Sequence, residues 1–481
     1  MKKLSIILSA LELPYRIIGE DVKISHITYD SRQVMEGSLF VAIKGYRSDG
    51  HQYIDEAIKR GAVALLVDHQ VESDMPQIIT KDTRRAMAEL SYAYYGCAYN
   101  NFELTGITGT NGKTTITHLL YQICEKTGMS PALIGTLGIK SQKETIEGTR
   151  TTPESADLAK IFYDLDKEGV SSLFMEVSSH SIALKRVHSL RFDAAVFTNL
   201  TQDHLDFHAD MEEYFNEKTK LFKQMKPGAR GIINIDDPYG KRLYNELEIG
   251  KISYAVDNAD ADYHFTELSV NVNGIHGKLI TPKGVININS PLLGKFNAEN
   301  IAGSIACWEF LYPGKSDLND IPFEPVAGRM EMIQSSKATA VIDYAHTPDA
   351  MEKALKAASN LENRKRIITV FGCGGDRDKA KRPLMGEIAE KYSDKIILTN
   401  DNPRNEEPSV IAEAILKGIN NIGKVEICLD REKAIRSAWM NSKPGDILMI
   451  LGKGAETYME IKGEKLPFND KEIMLKLEQK K

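Results

Sequence analysis

Thr108-Gly109-Thr110-Asn111-Gly112-Lys113-Thr114-Thr115 is the stretch from which the rest of the chain is read. The apolar run Phe102 to Thr108 leads into it and predicts a strand. After it, Ile116, Leu119, Leu120, Ile123 and Cys124 fall on one helical face, and Lys126 and Gly128 mark that helix's end. A glycine-rich turn between strand and helix is the setting of a phosphate-binding loop. Gly109 and Gly112 let backbone N–H groups approach phosphate oxygens, and the helix N-terminus favours an anion. In this reading Lys113 reaches the terminal phosphates of ATP and the Thr114 hydroxyl holds Mg²⁺. The strict GxxxxGK[ST] pattern is not met, because Ile107 stands where its first glycine belongs. The bland alternative is a glycine turn with no ligand. A GTPase-like switch is weakened, because the chain has no NKxD tetrapeptide.

Working outward, short apolar runs alternate with longer helical patterns, which predicts an α/β architecture. Buried strands are expected at Leu173–Val177, Ala194–Thr198, Gly231–Ile235 and Ala338–Ile342. Three more, Ile367–Phe371, Lys395–Leu398 and Ile447–Leu451, run into turns rich in Gly, Asn or Asp. In doubly wound sheets such turns carry the ligands, which directs attention to residues 372–378, 400–404 and 452–456. Seams are expected near Tyr99-Asn100-Asn101 and within Pro322–Gly328. With 481 residues and roughly 150 per domain, about three domains are expected.

Composition narrows the function. The net charge of -6 argues against a protein that coats nucleic acid by charge. No apolar run approaches the ~20 residues that cross a bilayer. Met1-Lys2-Lys3 opens like a signal peptide, but Leu4, Ile7, Leu8 and Leu11 repeat at helical spacing and predict an amphipathic first helix. Five cysteines, an odd number without CxxC spacing, fit free thiols in a reducing, cytoplasmic setting.

Further motifs give a specific resemblance. They are Met175-Glu176-Val177-Ser178-Ser179-His180, Thr198-Asn199-Leu200 with Asp203-His204-Leu205-Asp206, Phe296-Asn297-Ala298-Glu299-Asn300, Gly328-Arg329-Met330-Glu331 and Asp343-Tyr344-Ala345-His346-Thr347-Pro348-Asp349. With the phosphate loop, these six motifs resemble, in order, the Mur ligases, ATP-dependent amide-forming enzymes of peptidoglycan precursor synthesis. Asp30-Ser31-Arg32, Leu39-Phe40-Val41-Ala42, Gly374-Gly375-Asp376-Arg377-Asp378-Lys379 and Asp401-Asn402-Pro403-Arg404 resemble the member that adds the third residue of the peptide. The resemblance implies three domains: a UDP-sugar-binding α/β domain (1–99), a central P-loop ATPase with a parallel sheet (100–327) and a C-terminal Rossmann-like domain (328–481). It also implies a cytoplasmic, monomeric enzyme.

The implied chemistry is acyl activation. The γ-carboxylate of D-Glu in UDP-N-acetylmuramoyl-L-alanyl-D-glutamate takes the γ-phosphoryl group of ATP, and an amine then displaces phosphate. Such transfer needs positioning and charge neutralisation. The resemblance makes Lys113, Glu176, His204 and Lys218 the catalytic set. Thr114, Glu176, His204 and Lys218 become Mg²⁺ ligands, with Lys218 carbamylated by CO₂. Lys220 lies close by, and spacing from Asp210-Met211-Glu212 favours Lys218. Gly109, Thr110, Asn111, Gly112, Lys113, Thr114, Thr115, Asn300, Arg329, Asp343 and His346 carry over as nucleotide contacts. Ser31, Thr151, Thr152, Ser178 and Arg186 carry over to the UDP-substrate, although Leu184 stands where many relatives have Gln.

The incoming amine is expected to be meso-diaminopimelate, with L-lysine as the alternative. Diaminopimelate carries one more carboxylate, so its site requires an extra cation. Arg404 has the planar fork for that task, and Pro403 stiffens its loop. Arg377, Asp401, Asn402, Gly452 and Glu456 carry over as companions, with Glu456 meeting the substrate ammonium. Folylpolyglutamate synthase is the enzymatic rival, and a nucleotide-binding scaffold the rival from another class.

Overall fold

The computed structural model describes residues 1–479 other than Tyr46, Arg47, Thr149, Val272, Ser316, Asp317, Asp320, Ser336, Glu362 and Asn363. Two compact units are formed. One takes Met1–Thr108, Cys124–Ala195 and Glu217–Arg230, and the other takes Gly109–Ile123, Val196–Asn216 and Gly231–Lys481.

In the first unit, a five-stranded sheet runs Arg16–Ile18, Gln77–Ile79, Ala62–Val67, Ser38–Val41, His26–Thr28. Only its first pair is antiparallel. Successive side chains alternate between faces. Leu39 and Val41 therefore join Leu4, Ile7, Leu8, Met87 and Leu90 on one side. Phe40 joins Ile54 and Ala57 on the other. The expected first helix is a short one, Leu4–Leu8, and Leu11 is buried beyond its end. In the same unit Ser172–Glu176 lies between Pro131–Gly135 and Glu103–Thr108, parallel to both. Parallel strands buried on both faces read as continuous apolar runs, as here.

In the second unit, a six-stranded sheet runs Glu331–Gln334, Thr339–Asp343, Ile447–Leu451, Ile367–Phe371, Lys395–Leu398, Val425–Ile427. All pairs but the first are parallel. Apolar cores cover both faces, one including Val341, Phe371 and Leu398, the other Ile342, Ile368 and Trp439. The strand after Ile367–Phe371 lies on one side of it and the last-formed parallel strand, Ile447–Leu451, on the other, so the chain reverses direction across the sheet there. Ligand crevices form at such a reversal, beyond the strands' carboxyl ends. An antiparallel meander, Tyr263–Asn271, Gly274–Thr281 and Gly284–Ser290, also belongs to this unit and was not anticipated from sequence. Its signal is the alternation of buried Ile286, Ile288 and Ser290 with exposed Val285, Asn287 and Asn289.

Arg431 ties the six-stranded sheet together. Its fully buried guanidinium donates to both Asp470 oxygens (2.8 and 2.7 Å) and to the carbonyls of Asn400 and Leu451 (3.0 Å each). Those carbonyls sit where the loops at 400–404 and 452–456 begin.

Candidate active site

The phosphate loop joins the strand Glu103–Thr108 to the helix Lys113–Lys126. Its glycines are required by geometry. Gly109 has φ +143°, and a Cβ there would lie 1.8 Å from Thr198 Oγ1. Gly112 has φ +89°, with Asn300 Oδ1 2.5 Å from where its Cβ would be. Asn111 is fixed twice: its N–H donates to Asn199 Oδ1 (2.9 Å) and its side-chain amide to Asp349 Oδ2 (2.9 Å). Thr110 N–H donates to the Asn199 carbonyl (2.9 Å). Lys113 Nζ bonds to the carbonyls of Gly109 (2.9 Å) and Thr110 (2.8 Å), which draws the ammonium over the loop. Arg329 donates to Thr114 Oγ1 at 2.9 Å and stacks 4.4 Å from the Tyr344 ring centre. Asp343 accepts from the N–H groups of Met330 (2.7 Å) and Ala345 (2.8 Å), so its carboxylate shapes the chain that presents Arg329. Thr115 is buried in the first turn of the helix.

His204 sits in the same unit with φ +56°, a region that a residue with a Cβ seldom occupies. Strain of this kind concentrates at functional sites. Its Nε2 lies 3.4 Å from Asp203 Oδ2, and His346 Nε2 lies 3.9 Å from the same oxygen. Burial opposes ionisation of Asp203, but His204, His346 and Lys381 outweigh it and hold the carboxyl well below its usual range. Asp203 entered the sequence reading only as part of the Asp203–Asp206 motif and Lys381 not at all; their pairing appears once the fold brings them together.

The loops at 372–378, 400–404 and 452–456 converge beyond the strand ends. Arg404, at φ +51°, donates Nε–H to Glu460 Oε2 (2.9 Å) and an Nη1–H to the Gly375 carbonyl (2.7 Å). Asn402 donates to Glu456 Oε2 (2.9 Å) and accepts from Lys453 Nζ (3.1 Å), which also pairs with Glu456 at 2.7 Å. Pro403 packs its carbonyl against Gly375, where a Cβ would lie 1.9 Å away. Gly452 has φ +108°, and a Cβ there would lie 2.4 Å from Asp401 Oδ2. Arg377 is half exposed, 4.0 Å from Asp206. Lys453 and Glu460 were missed from sequence; Lys453 is fully buried, and its place beside Gly452 in the 452–456 turn was the available signal.

In the first unit, Glu176 ends its strand 1% exposed. Its carboxylate accepts from Thr136 N–H (2.9 Å) and Thr136 Oγ1 (3.1 Å). Thr152 Oγ1 donates to the Glu176 carbonyl (2.8 Å) and lies 3.4 Å from Ser178 Oγ, while Thr151 Oγ1 lies 3.1 Å from Thr136 Oγ1. Arg186 donates to Glu154 Oε1 and the Thr152 carbonyl, both at 3.0 Å. Glu154 also pairs with Arg84 (3.2 Å) and Arg150 (2.8 Å), so one buried carboxylate gathers three guanidinium groups. Ser31 stands apart from this group, its hydroxyl donating to Glu56 Oε2 at 3.2 Å. Lys218 is 1% exposed near the end of the helix Met211–Thr219, whereas the neighbouring Lys220 pairs with Glu217 at the surface.

Three family models match in chain order: Mur ligase family, catalytic domain, at residues 23–95; Mur ligase middle domain at 107–308; and Mur ligase, glutamate ligase domain, at 328–454. The chain belongs to the Mur ligase family. The UDP-N-acetylmuramoyl-L-alanyl-D-glutamate--2,6-diaminopimelate ligase of Aquifex aeolicus is 42% identical over 454 residues, 94% of this chain and 93% of that protein. The protein of the same name from Bacillus velezensis is 41% identical, covering 94% of each chain. A solved structure of a ligase of that name aligns with TM-score 0.67 and 30% identity, over 96% of this chain and 97% of the other.

Proposed function

We propose that this chain joins meso-diaminopimelate to the D-Glu γ-carboxylate of UDP-N-acetylmuramoyl-L-alanyl-D-glutamate, consuming ATP, in cytoplasmic peptidoglycan precursor synthesis. The observation that carries the choice of amine is the setting of Arg404. Two of its five N–H groups are taken by Glu460 and Gly375, which fixes the plane of the fork and leaves three for a ligand carboxylate. L-Lysine lacks that carboxylate and leaves the fork unmet. Asn402, Lys453 and Glu456 form a polar cluster in which Glu456 offers negative charge to the substrate ammonium.

The phosphate loop supplies backbone N–H groups and the Lys113 charge to the phosphates of ATP, with Asn300 and His346 on the nucleoside side and Arg329 bridging toward the phosphates. Thr151, Thr152, Ser178 and Arg186 bind the muramoyl peptide, and Ser31 the uridine end. Arg186, anchored on Glu154, retains N–H groups for a substrate anion. Thr114 and Glu176 are assigned to one Mg²⁺ ion and His204 to a second, with carbamylated Lys218 as a further ligand, and the buried Glu176 carboxylate accepts from Thr136. When bound, the ion neutralises charge on the transferring phosphoryl group. Carbamylation is assigned to Lys218 rather than Lys220 because Lys218 is 1% exposed, whereas Lys220 pairs with Glu217. We assign residues 1–99, 100–327 and 328–481 to UDP-sugar, ATP and amino-acid binding, and a monomer as the working form.

The test is phosphate release from ATP with the muramoyl dipeptide and a panel of amines. Release that requires the dipeptide and prefers meso-diaminopimelate over L-lysine supports the reading. Equal use of lysine would overturn the choice of amine, and release indifferent to amine would overturn the ligase reading.

A further inference from the structure

Four side chains meet beyond the carboxyl end of the central strand of the five-stranded sheet, outside every group described above. Asp49 and His51 flank the start of the turn Gly50–Tyr53, and Asp68 and His69 directly follow the strand Ala62–Val67. Asp49 Oδ1 accepts from the His51 backbone N–H at 3.0 Å and lies 2.6 Å from its ring Nδ1. In the tautomer that gives Nδ1–H to Asp49, the Nε2 lone pair points the other way. That nitrogen has no hydrogen-bond partner among the described residues, in a ring only 11% exposed. It lies 3.2 Å from Asp68 Oδ1, off the hydrogen-bonding direction. His69 Nδ1 contacts the same carboxylate oxygen, and the two imidazoles stack with centres 4.6 Å apart.

We propose that His51, Asp68 and His69 form a binding site for one divalent transition-metal ion of the Zn²⁺ class. Their ligand atoms all lie within 4.8 Å of one another. In a tetrahedral zinc site with bonds of about 2.0–2.1 Å, ligand atoms are roughly 3.3 Å apart, so the widest pair closes by up to about 1.5 Å and the short His69–Asp68 contact opens. His69, whose side chain is 65% exposed, is free to make that movement. Two imidazoles and one carboxylate suit Zn²⁺, Co²⁺ or Ni²⁺, whereas Mg²⁺ favours an all-oxygen shell. Asp49 provides the outer carboxylate that orients a metal-binding histidine through its other nitrogen. Three protein ligands leave the fourth position to water. Bound metal would pin the turn at residues 50–53 to the strand end at Val67, within the first 70 residues and independently of ATP chemistry.

The experiment is titration of the metal-stripped full chain with Co²⁺, without nucleotide, followed by visible d–d absorption and competed with Zn²⁺. A His204→Ala background separates this signal from any ion at the phosphate-transfer residues. The expected result is one equivalent of Co²⁺, displaced by Zn²⁺ and retained in His204→Ala. His69→Ala and Asp68→Asn, both at accessible side chains, should weaken binding at least ~10-fold while leaving the metal-free melting temperature unchanged. Absence of a Co²⁺ signal, or wild-type affinity in both of these variants, overturns the site.

Discussion

The phosphate loop and the Arg404 loop both lie beyond strand ends, but they are built from different materials. Around Gly109 and Gly112 recognition is prepared in the backbone: there is no room for a Cβ, and Asn111 is tied from both its backbone and its side chain. Around Arg404 recognition is prepared in charges that already hold one another, Arg404 with Glu460 and Lys453 with Glu456. A backbone site depends on space and fails as a whole. A charge site depends on pairing and can lose one selectivity while keeping the rest.

The largest effect should therefore come from the loop with no space. Gly109→Val places side-chain atoms into Thr198 and Asn199, and should lower kcat/KM at least ~100-fold for every amine, through positioning alone. Steady-state assays with diaminopimelate and lysine measure this, and unequal losses would break the contrast. Arg404→Ala should cost at least ~2 kcal/mol of transition-state stabilisation, roughly thirtyfold in kcat/KM, for diaminopimelate, with lysine changed far less. The same assay decides it, and equal losses would remove the carboxylate clamp. Glu460→Gln keeps the shape but not the charge, so it should cost only ~3- to 10-fold for diaminopimelate, mainly in KM, by loosening the Arg404 plane.

How these loops read in sequence follows from the same difference. The phosphate loop is contiguous, and its glycines announce a backbone that no other residue can follow, so strand, turn and helix were legible together. The parallel strands at 367–371, 395–398 and 447–451 were legible because burial on both faces leaves unbroken apolar runs. Glu460 was not legible, because its meaning lies in Arg404, 56 residues away, and Lys453 showed only its place in the turn and not its bond to Asn402. The Glu154 cluster was hidden likewise: Arg84, Arg150 and Arg186 are scattered along the chain and meet only in the fold. The resemblance named Arg404 without its partner, which is the part that orients it.

A separate effect, read in stability rather than in turnover, concerns the pH response of Glu299. Burial raises the Glu299 carboxyl to about 7, with Lys353 opposing the shift and Asn234 donating to it at 3.1 Å. A carboxyl raised on folding binds its proton more tightly in the folded state, so its stabilising contribution is full below the unfolded value near 4.5 and is lost as pH rises through 7. Across that window the wild type should lose roughly 1–2 kcal/mol relative to Glu299→Gln, after allowance for partial solvent screening. Melting curves of both proteins at pH 5 and pH 8 measure the difference, and parallel pH dependence would show that Glu299 titrates normally.

Arg431 holds the roots of the 400–404 and 452–456 loops from beneath, through the Asn400 and Leu451 carbonyls, and takes its own counter-charge from Asp470 in the helix Asp470–Gln479. The anchorage is thus separate from the residues proposed to choose the amine. For protein engineering, this makes 401–404 and 452–460 an exchangeable cassette: new amine preferences can be grafted above the anchor as long as Arg431 and Asp470 stay together. It also makes the last ten residues of the described chain part of the chassis, so a tag or truncation that reaches Asp470 would release both loops at once.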